Sequence, residues 1–250
     1  MSDYTFTHQL NILIHVISGC LAMIMSIIAM ISSKGNKTHK TSGILFLILI
    51  AIVIMTGLIG IFIFKVNTFL LVLTLLSGYQ AFSGYRVLGN KKSLPKLLDI
   101  IVAIIALGSG LYFLYYIETI VLIWASGIIY STVAALFLII AYDFVRYLLP
   151  KNKYKNRWLY EHIYKMVASF TALLAAFIGT VLPEYQPYSQ FLPSIFGTLL
   201  AIGFILFFWR KNKIKKNRSK RISENKGKSK LDRHRSYYRK RRRCILNLKE

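Results

Sequence analysis

The chain has 250 residues, of which 55% are hydrophobic, and its formal net charge is +24 at pH 7. This combination argues against a soluble domain, because such a charge opposes compaction while such an apolar content needs a large buried core. The two properties are compatible when the apolar residues face lipid and the basic residues lie outside it. The two cysteines, Cys20 and Cys244, lie in an apolar run and in the distal tail, so no disulfide framework is expected.

Seven apolar segments approach the length of about 20 residues that a helix needs to cross a bilayer. They lie at residues 10–31, 42–64, 68–88, 97–116, 119–142, 162–182 and 191–209. The runs are continuously apolar and lack period-two alternation, which favours helices over a β-barrel. We therefore predict an all-α integral membrane bundle of seven transmembrane helices in residues 1–209. A basic, disordered cytoplasmic tail is predicted in residues 210–250.

Basic residues fall in alternate connections of this bundle. The first, third and fifth connections and the tail hold most of the Lys and Arg, whereas the connections between them hold little besides Lys65, Glu118 and Glu184. Because Lys and Arg accumulate on the cytoplasmic side, the N-terminus is predicted outside and the C-terminus inside. Small residues at helical spacing, including Gly57 and Gly84, predict close contacts between helices.

Five short blocks of sequence lie at residues 15–19, 39–43, 83–86, 158–166 and 192–197. In their order and spacing they resemble a family of uncharacterised bacterial multi-pass membrane proteins. That family shares a His-x-x-x-Gly block and an inner-face His-Arg/Lys-x-x-Gly block. The resemblance covers residues 9 to about 211 and implies an architecture and a bacterial cytoplasmic membrane location. It implies no activity, and the basic tail is longer than the family pattern.

Two histidines are candidates for a ligand site at the inner face. His39 precedes the second predicted span and His162 opens the sixth, so both imidazoles are expected at similar depth. A pair of imidazoles from different helices is what bis-His ligation of haem b requires, and it could also serve an anionic ligand. Lys37 and Lys165 lie near the pair in sequence, which disfavours a bare metal cation. The alternative is that both imidazoles are interfacial hydrogen-bonding groups.

A polar intramembrane stripe is the second candidate. Asn11, His15 and Ser18 follow one another at helical spacing in the first span, and Gln80 is an amide within the third. Polar groups inside a span are expected to face the bundle. They are interpreted as hydrogen bonds between helices, with a proton relay or a solute path as the alternative.

The other charged residues near the spans receive structural interpretations. Arg86 and Asp99 are expected to pair across a helical hairpin. Glu161 and Lys165 are interpreted as an i,i+4 pair that stabilises the start of the sixth helix and needs no further role. Arg146 is counted with the basic residues of the fifth connection. No sequence pattern of a catalytic or phosphate-binding site is present.

Three functions stay open at this point: a haem- or anion-binding membrane protein, a small-solute or proton-coupled transporter, and a membrane scaffold or assembly factor. The expected partners are the lipid bilayer and, for the basic tail, anionic lipid headgroups. Nucleic acid is the weaker alternative for that tail.

Overall fold

The computed structural model describes residues 2–64, 69–89, 95–116, 126–148, 157–189, 191–214 and 217–218. These residues form seven long helices. They are α1 (Ser2–Ile31), α2 (Lys37–Phe62), α3 (Phe69–Gly89), α4 (Leu97–Tyr116), α5 (Ser126–Leu148), α6 (Trp158–Val181) and α7 (Phe191–Ile214). A turn of 3-10 helix at Pro183–Tyr185 follows α6. No strand occurs among these described residues, which confirms the all-α class for them.

Six of the helices are long and apolar enough to cross a membrane: α1, α2, α4, α5, α6 and α7. Together they indicate a multi-pass membrane protein. The exception is α3, whose sequence is interrupted by Ser77, Gln80, Ser83 and Arg86. This helix contacts α2, α4, α5 and α6. Its polar side chains are therefore enclosed by other helices, and the most polar helix needs no continuous lipid-facing surface.

Two apolar clusters meet at α3. One joins α3 to α4 and α5, where Val72, Phe113 and Leu136 are fully buried. The other joins α1, α2, α3 and α6 around Ala22 and Phe46. These contacts orient each helix, because its buried apolar face must point toward the neighbouring helices. As a result, the polar residues of α3 are held at a fixed depth and direction.

Glycine permits close approaches at two points along these contacts. A Cβ atom at Gly84 would lie 2.9 Å from Cβ of Lys165, so α3 and α6 touch there. A Cβ atom at Gly57 would lie 3.4 Å from Oγ1 of Thr74 and 3.6 Å from Cε1 of His15. The predicted small-residue contacts are thus confirmed at both positions, and each of these glycines lies beside a polar side chain.

By its internal contacts the chain divides into two units, Met1–Ile202 and Gly203–Glu250. The division falls within α7, before the predicted boundary at residues 209 and 210. In the second unit, Nζ of Lys213 lies 5.0 Å from the ring centre of Trp209, a cation–π contact. Most of the predicted tail lies outside the described residues, and its disorder stays a prediction.

Candidate functional site: a buried charge cluster

Four charged side chains from α5 and α6 meet inside the first unit. Asp143 and Arg146 belong to α5, and Glu161 and Lys165 belong to α6. All four are buried, and Lys165 is only 1% exposed. With two cations and two anions, the formal charges balance, which is the condition under which ionised groups are tolerated away from water. We refer to these four residues as the charge cluster.

Lys165 is the centre of the charge cluster. Its ammonium group donates to the Asp143 carboxylate, to Oε1 of Glu161 at 2.9 Å and to Oγ of Ser83 at 2.7 Å. These acceptors come from α5, α6 and α3. An ammonium group has three donors, so every N–H bond of Lys165 has an acceptor. One side chain therefore links three helices.

The carboxylates of the cluster are equally well satisfied. Asp143 accepts from Lys165, from Oγ of Ser83 at 2.6 Å and from Oη of Tyr79 at 2.9 Å. Glu161 accepts from Lys165 and from Nη1 of Arg146. The Ser83 hydroxyl accepts from Lys165 and donates to Asp143, so it forms a second bridge within the ion pair.

Simple helical spacing brings these side chains together. Residues three or four positions apart share one face of a helix. The polar faces consist of Tyr79 and Ser83 in α3, Asp143 and Arg146 in α5, and Glu161, Lys165 and Ser169 in α6. The absence of a side chain at Gly84 lets α6 approach α3 at the level of Lys165. Lys165 lies about two helical turns, roughly 10 Å, inside the start of α6.

The structure extends one structural interpretation made from the sequence and corrects another. The i,i+4 pair of Glu161 and Lys165 is confirmed, but it is buried, and Lys165 also bonds Asp143 of α5 and Ser83 of α3. Arg146 is buried within α5 and does not belong to a connection. Sequence reasoning also missed Asp143. The scarcity of acidic residues, nine against 33 basic ones, was the available signal, since a rare carboxylate within an apolar run needs a partner.

A second ion pair lies beside the charge cluster. Arg86 in α3 donates through Nε and Nη2 to the two carboxylate oxygens of Asp99 in α4, the latter at 3.0 Å. This bidentate arrangement confirms the pairing expected from the sequence. It is less enclosed than the cluster, because the Arg86 side chain is 22% exposed.

A small cleft of about 20 Å³ is lined by residues of both this second pair and the charge cluster. Its lining includes Tyr79, Ser83, Arg86, Asp99, Asp143 and Arg146. The cleft lies among α3, α4 and α5 and is bordered by charged groups of both signs. Asp143 therefore lines this small cleft and also bonds Lys165.

The two candidate histidines are bonded to different helices. Nδ1 of His39 lies 2.9 Å from the carbonyl oxygen of Ala29 in α1, next to Nζ of Lys34, which donates to the same carbonyl. Nδ1 of His162 lies 2.8 Å from the carbonyl oxygen of Gly84 in α3. His39 thus helps satisfy the open carbonyls at the end of α1. A ligand site shared by the two imidazoles stays a prediction.

The polar stripe of α1 makes neutral contacts with α2. Nδ2 of Asn11 donates to the carbonyl oxygen of Thr56 at 3.1 Å, and Nδ1 of His15 lies 2.9 Å from Oγ1 of Thr56. Ser18 is buried as well. Gln80 in α3 is 3% exposed, and its Oε1 receives no hydrogen bond from the described residues. The stripe and Gln80 thus differ, since one is bonded between helices and the other keeps an unused acceptor.

Within the described residues, no group of three or more His, Cys, Asp or Glu side chains is placed to hold a metal ion. Comparison of the chain with protein-family models, with curated proteins and with solved structures gives no match. The resemblance to a bacterial membrane family stays a prediction.

Proposed function

We propose that this chain is a multi-pass membrane protein that moves protons across its membrane, with the charge cluster as its proton-binding site. The observation that carries the proposal is the Lys165 ammonium group, which is 1% exposed and bonded to Asp143, Glu161 and Ser83 within the helical bundle. Ionisable residues enclosed by membrane helices are costly, and they characteristically form proton or ion pathways.

Helix packing alone would not call for this arrangement. Replacing a buried ion pair by apolar residues of similar size is often neutral or stabilising. Apolar contacts already join α3 to α5, as Val72 and Leu136 show. The presence of four buried charges in the same region therefore supports a function that apolar residues cannot provide, such as accepting and releasing a proton.

Asp143 is the proposed proton acceptor. It lines the cleft among α3, α4 and α5 and bonds Lys165 at the same time. When its carboxylate takes up a proton, one O–H bond forms and the attraction to the Lys165 ammonium is lost. Lys165 keeps Glu161 and Ser83 as acceptors, so the cluster tolerates the neutral state of Asp143. Release of the proton restores the ion pair.

The test is proton flux through the full-length protein in vesicles of phosphatidylcholine and phosphatidylglycerol. A potassium gradient with valinomycin sets the membrane potential, and a trapped pH-sensitive dye reports proton movement. The wild-type protein should conduct protons above the level of protein-free vesicles. Asp143→Asn keeps the shape of the side chain but removes the acceptor, and should lower the flux by at least about tenfold.

Glu184→Gln is the matched control, since it makes the same chemical change at an exposed carboxylate in the 3-10 helix. Its flux should equal that of the wild type. A wild-type protein that conducts no protons in either direction of the potential would remove the proposed function. Equal flux through the wild type and Asp143→Asn would remove Asp143 as the acceptor.

Haem or anion binding is a second candidate. His39 and His162 each engage a backbone carbonyl through Nδ1. In ligating histidines a bond of this kind orients the ring, with the other nitrogen facing the ligand. An absorption spectrum of the purified protein with added haem tests it. Haem-dependent bands that His39→Ala and His162→Ala each abolish would support the site, and unchanged free-haem absorbance would count against it.

We also propose that α3 crosses the membrane as a seventh span, with the N-terminus outside and the C-terminus inside. The enclosure of α3 by four helices supports the count, and the alternating basic connections support the orientation. A bacterial cytoplasmic membrane, contact of the basic tail with anionic lipid headgroups and a scaffold role remain proposals from the sequence. Labelling of single cysteines placed in the connections tests the topology.

A further inference from the structure

We propose that polar side chains of α3 carry protons between the charge cluster and His15, with a water molecule at Gln80 completing the route. This inference rests on the proton-translocating function proposed above and specifies its pathway. We call Thr74, Ser77, Gln80 and Ser83 the α3 route. It joins the charged region between α5 and α6 to the polar contacts between α1 and α2.

The spacing of the α3 route follows from helix geometry. Its members are three residues apart, so each step rises about 4.5 Å along the helix. A hydroxyl or amide can span such a step directly or through one water molecule. Ser77, Gln80 and Ser83 are buried, and α3 is enclosed by α2, α4, α5 and α6. The route therefore runs inside the bundle.

One end of the route is bonded to the charge cluster. Oγ of Ser83 donates to Asp143 at 2.6 Å and accepts from Lys165 at 2.7 Å. A hydroxyl that accepts one hydrogen bond and donates another can pass a proton along by exchanging the two. Ser83 is thus both the last member of the route and a member of the hydrogen-bond network around Lys165.

The other end lies beside His15. Oγ1 of Thr74 and Cε1 of His15 both lie close to the position that a Cβ atom would take at Gly57, at 3.4 Å and 3.6 Å respectively. The missing side chain at Gly57 leaves room for α1 and α3 to bring polar atoms to the same point on α2. His15 is held there by its contact with Oγ1 of Thr56. An imidazole ring has two nitrogens, so it can accept a proton on one and release a proton from the other.

The middle of the route is shared with α6. Oγ of Ser77 donates to the carbonyl oxygen of Ser169 at 3.0 Å, and Oγ of Ser169 donates to the carbonyl oxygen of Ser77 at 2.8 Å. The two hydroxyl oxygens are 3.4 Å apart. Ser169 lies one helical turn beyond Lys165 on the same face of α6. Hydroxyl groups therefore continue from the charge cluster along both helices.

An acceptor atom of Gln80 that is unpaired among the described residues supports the route independently of the hydrogen bonds at its two ends. Its Oε1 is buried, and in the described part of the chain no group donates a hydrogen bond to it. A buried acceptor of this kind is normally satisfied by an internal water molecule. Gln80 lies one step from Ser77 and one step from Ser83. A water molecule on Oε1 would thus stand between the two hydroxyls.

Transfer along the route moves one proton from His15 to Asp143. The imidazolium ring of His15 loses an N–H proton, and each hydroxyl or water molecule along the route accepts one proton and donates another. The Asp143 carboxylate receives the last one and forms an O–H bond. No other bond changes, and the reverse sequence returns the proton.

The vesicle assay described above tests the route with full-length Gln80→Leu. Leucine has a similar size but offers no acceptor for water, so proton flux should fall by at least about tenfold. Ser42→Ala is the control, because Ser42 is a buried hydroxyl in α2 outside the route, and its Oγ donates to the carbonyl oxygen of Thr38 in the same helix. Its flux should match the wild type. Thermal unfolding in detergent shows whether each variant is folded.

If Gln80→Leu does not fold, Ser77→Ala takes its place under the same criterion, since it removes only one hydroxyl. Loss of flux in the folded route variant, with Ser42→Ala unaffected, supports the route. Undiminished flux in that variant while Asp143→Asn abolishes flux overturns the route and leaves the proposed function standing. Absence of flux in the wild type overturns both.

Discussion

The α1–α2 hairpin and the α3–α5–α6 region both hold polar side chains within the helical bundle, but different interactions satisfy them. In the hairpin, Asn11 and His15 meet the backbone and hydroxyl of Thr56 through neutral hydrogen bonds. Among α3, α5 and α6, Lys165 and Asp143 form an ion pair within a larger network. In the apolar stretch of α1, 17% of the residues are buried, whereas 56% are buried in that of α6.

The difference follows from how many helices surround each site. Two helices can shield a neutral amide or imidazole, because a single partner satisfies most of its hydrogen bonds. A charged group needs several partners to offset its desolvation, and only a helix group of three or more supplies them. The buried charge cluster is therefore found where α3 is packed against α5 and α6, and neutral polar groups are found in the hairpin.

The largest effect is expected from breaking the ion pair on one side. Lys165→Met leaves Asp143 and Glu161 buried with only Arg146 as a cation, which should destabilise the fold by about 3–5 kcal/mol. The double variant Asp143→Asn, Lys165→Met restores charge balance and should recover a substantial part of this loss. Thermal unfolding in detergent measures both. A double variant that is less stable than Lys165→Met alone would contradict the ion-pair interpretation.

The close approach of α3 and α6 gives the next largest effect. Gly84→Ala places a methyl group 2.9 Å from Cβ of Lys165, so it should destabilise by about 1–3 kcal/mol. In the hairpin, Gly57→Ala meets its nearest neighbour at 3.4 Å and should cost less than about 1 kcal/mol. Thermal unfolding in detergent measures the loss of stability in both variants.

Gly43→Ala is the control for these two variants, since no atom of the described part of the chain lies within 4 Å of its Cβ position. Alanine favours helix over glycine by about 1 kcal/mol, so Gly43→Ala should be neutral or slightly stabilising. A larger loss at Gly57 than at Gly84 would show that the charged region is packed less tightly than the hairpin.

Much of the architecture could be predicted because hydrophobic length alone defines a membrane helix. The charge cluster could not. Glu161 and Lys165 at i and i+4 look the same whether they face water or another helix, and only the neighbouring Asp143 distinguishes the two cases. The packing of the helices around α3 determines which of them are neighbours. The spacing of residues within one helix does not predict this packing. The Arg86–Asp99 pair was predictable because a short connection joins its two helices.

A smaller effect is expected from the hairpin contacts. Thr56→Val removes the hydroxyl next to Nδ1 of His15 and should destabilise by about 0.6–1.7 kcal/mol, the range for hydrogen bonds between membrane helices. Thr180→Val is the matched control, since among the described residues its hydroxyl bonds only the carbonyl oxygen of Ala176 in the same helix. Equal losses in the two variants would argue against a distinct contribution of the contact between α1 and α2.

The smallest effect concerns Lys34, which lies in the connection after α1 and donates to the carbonyl oxygens of Ala29 and Met30. Burial lowers the pKa of its ammonium group below the usual value. The unfolded chain therefore binds more protons between the two pKa values, and stability should rise with pH through that window. In Lys34→Met this rise should disappear. Unfolding midpoints at several alkaline pH values measure it, and an unchanged slope would contradict the role of Lys34.

The most direct measurement is the infrared carboxyl band of the purified protein as the pH is lowered. Protonation of Asp143 should produce a C=O band of a buried carboxylic acid in the wild type and in Glu184→Gln. That band should be missing in Asp143→Asn. A band that persists in Asp143→Asn, or a wild-type protein with no band beyond those of exposed carboxyl groups, would contradict proton binding by Asp143.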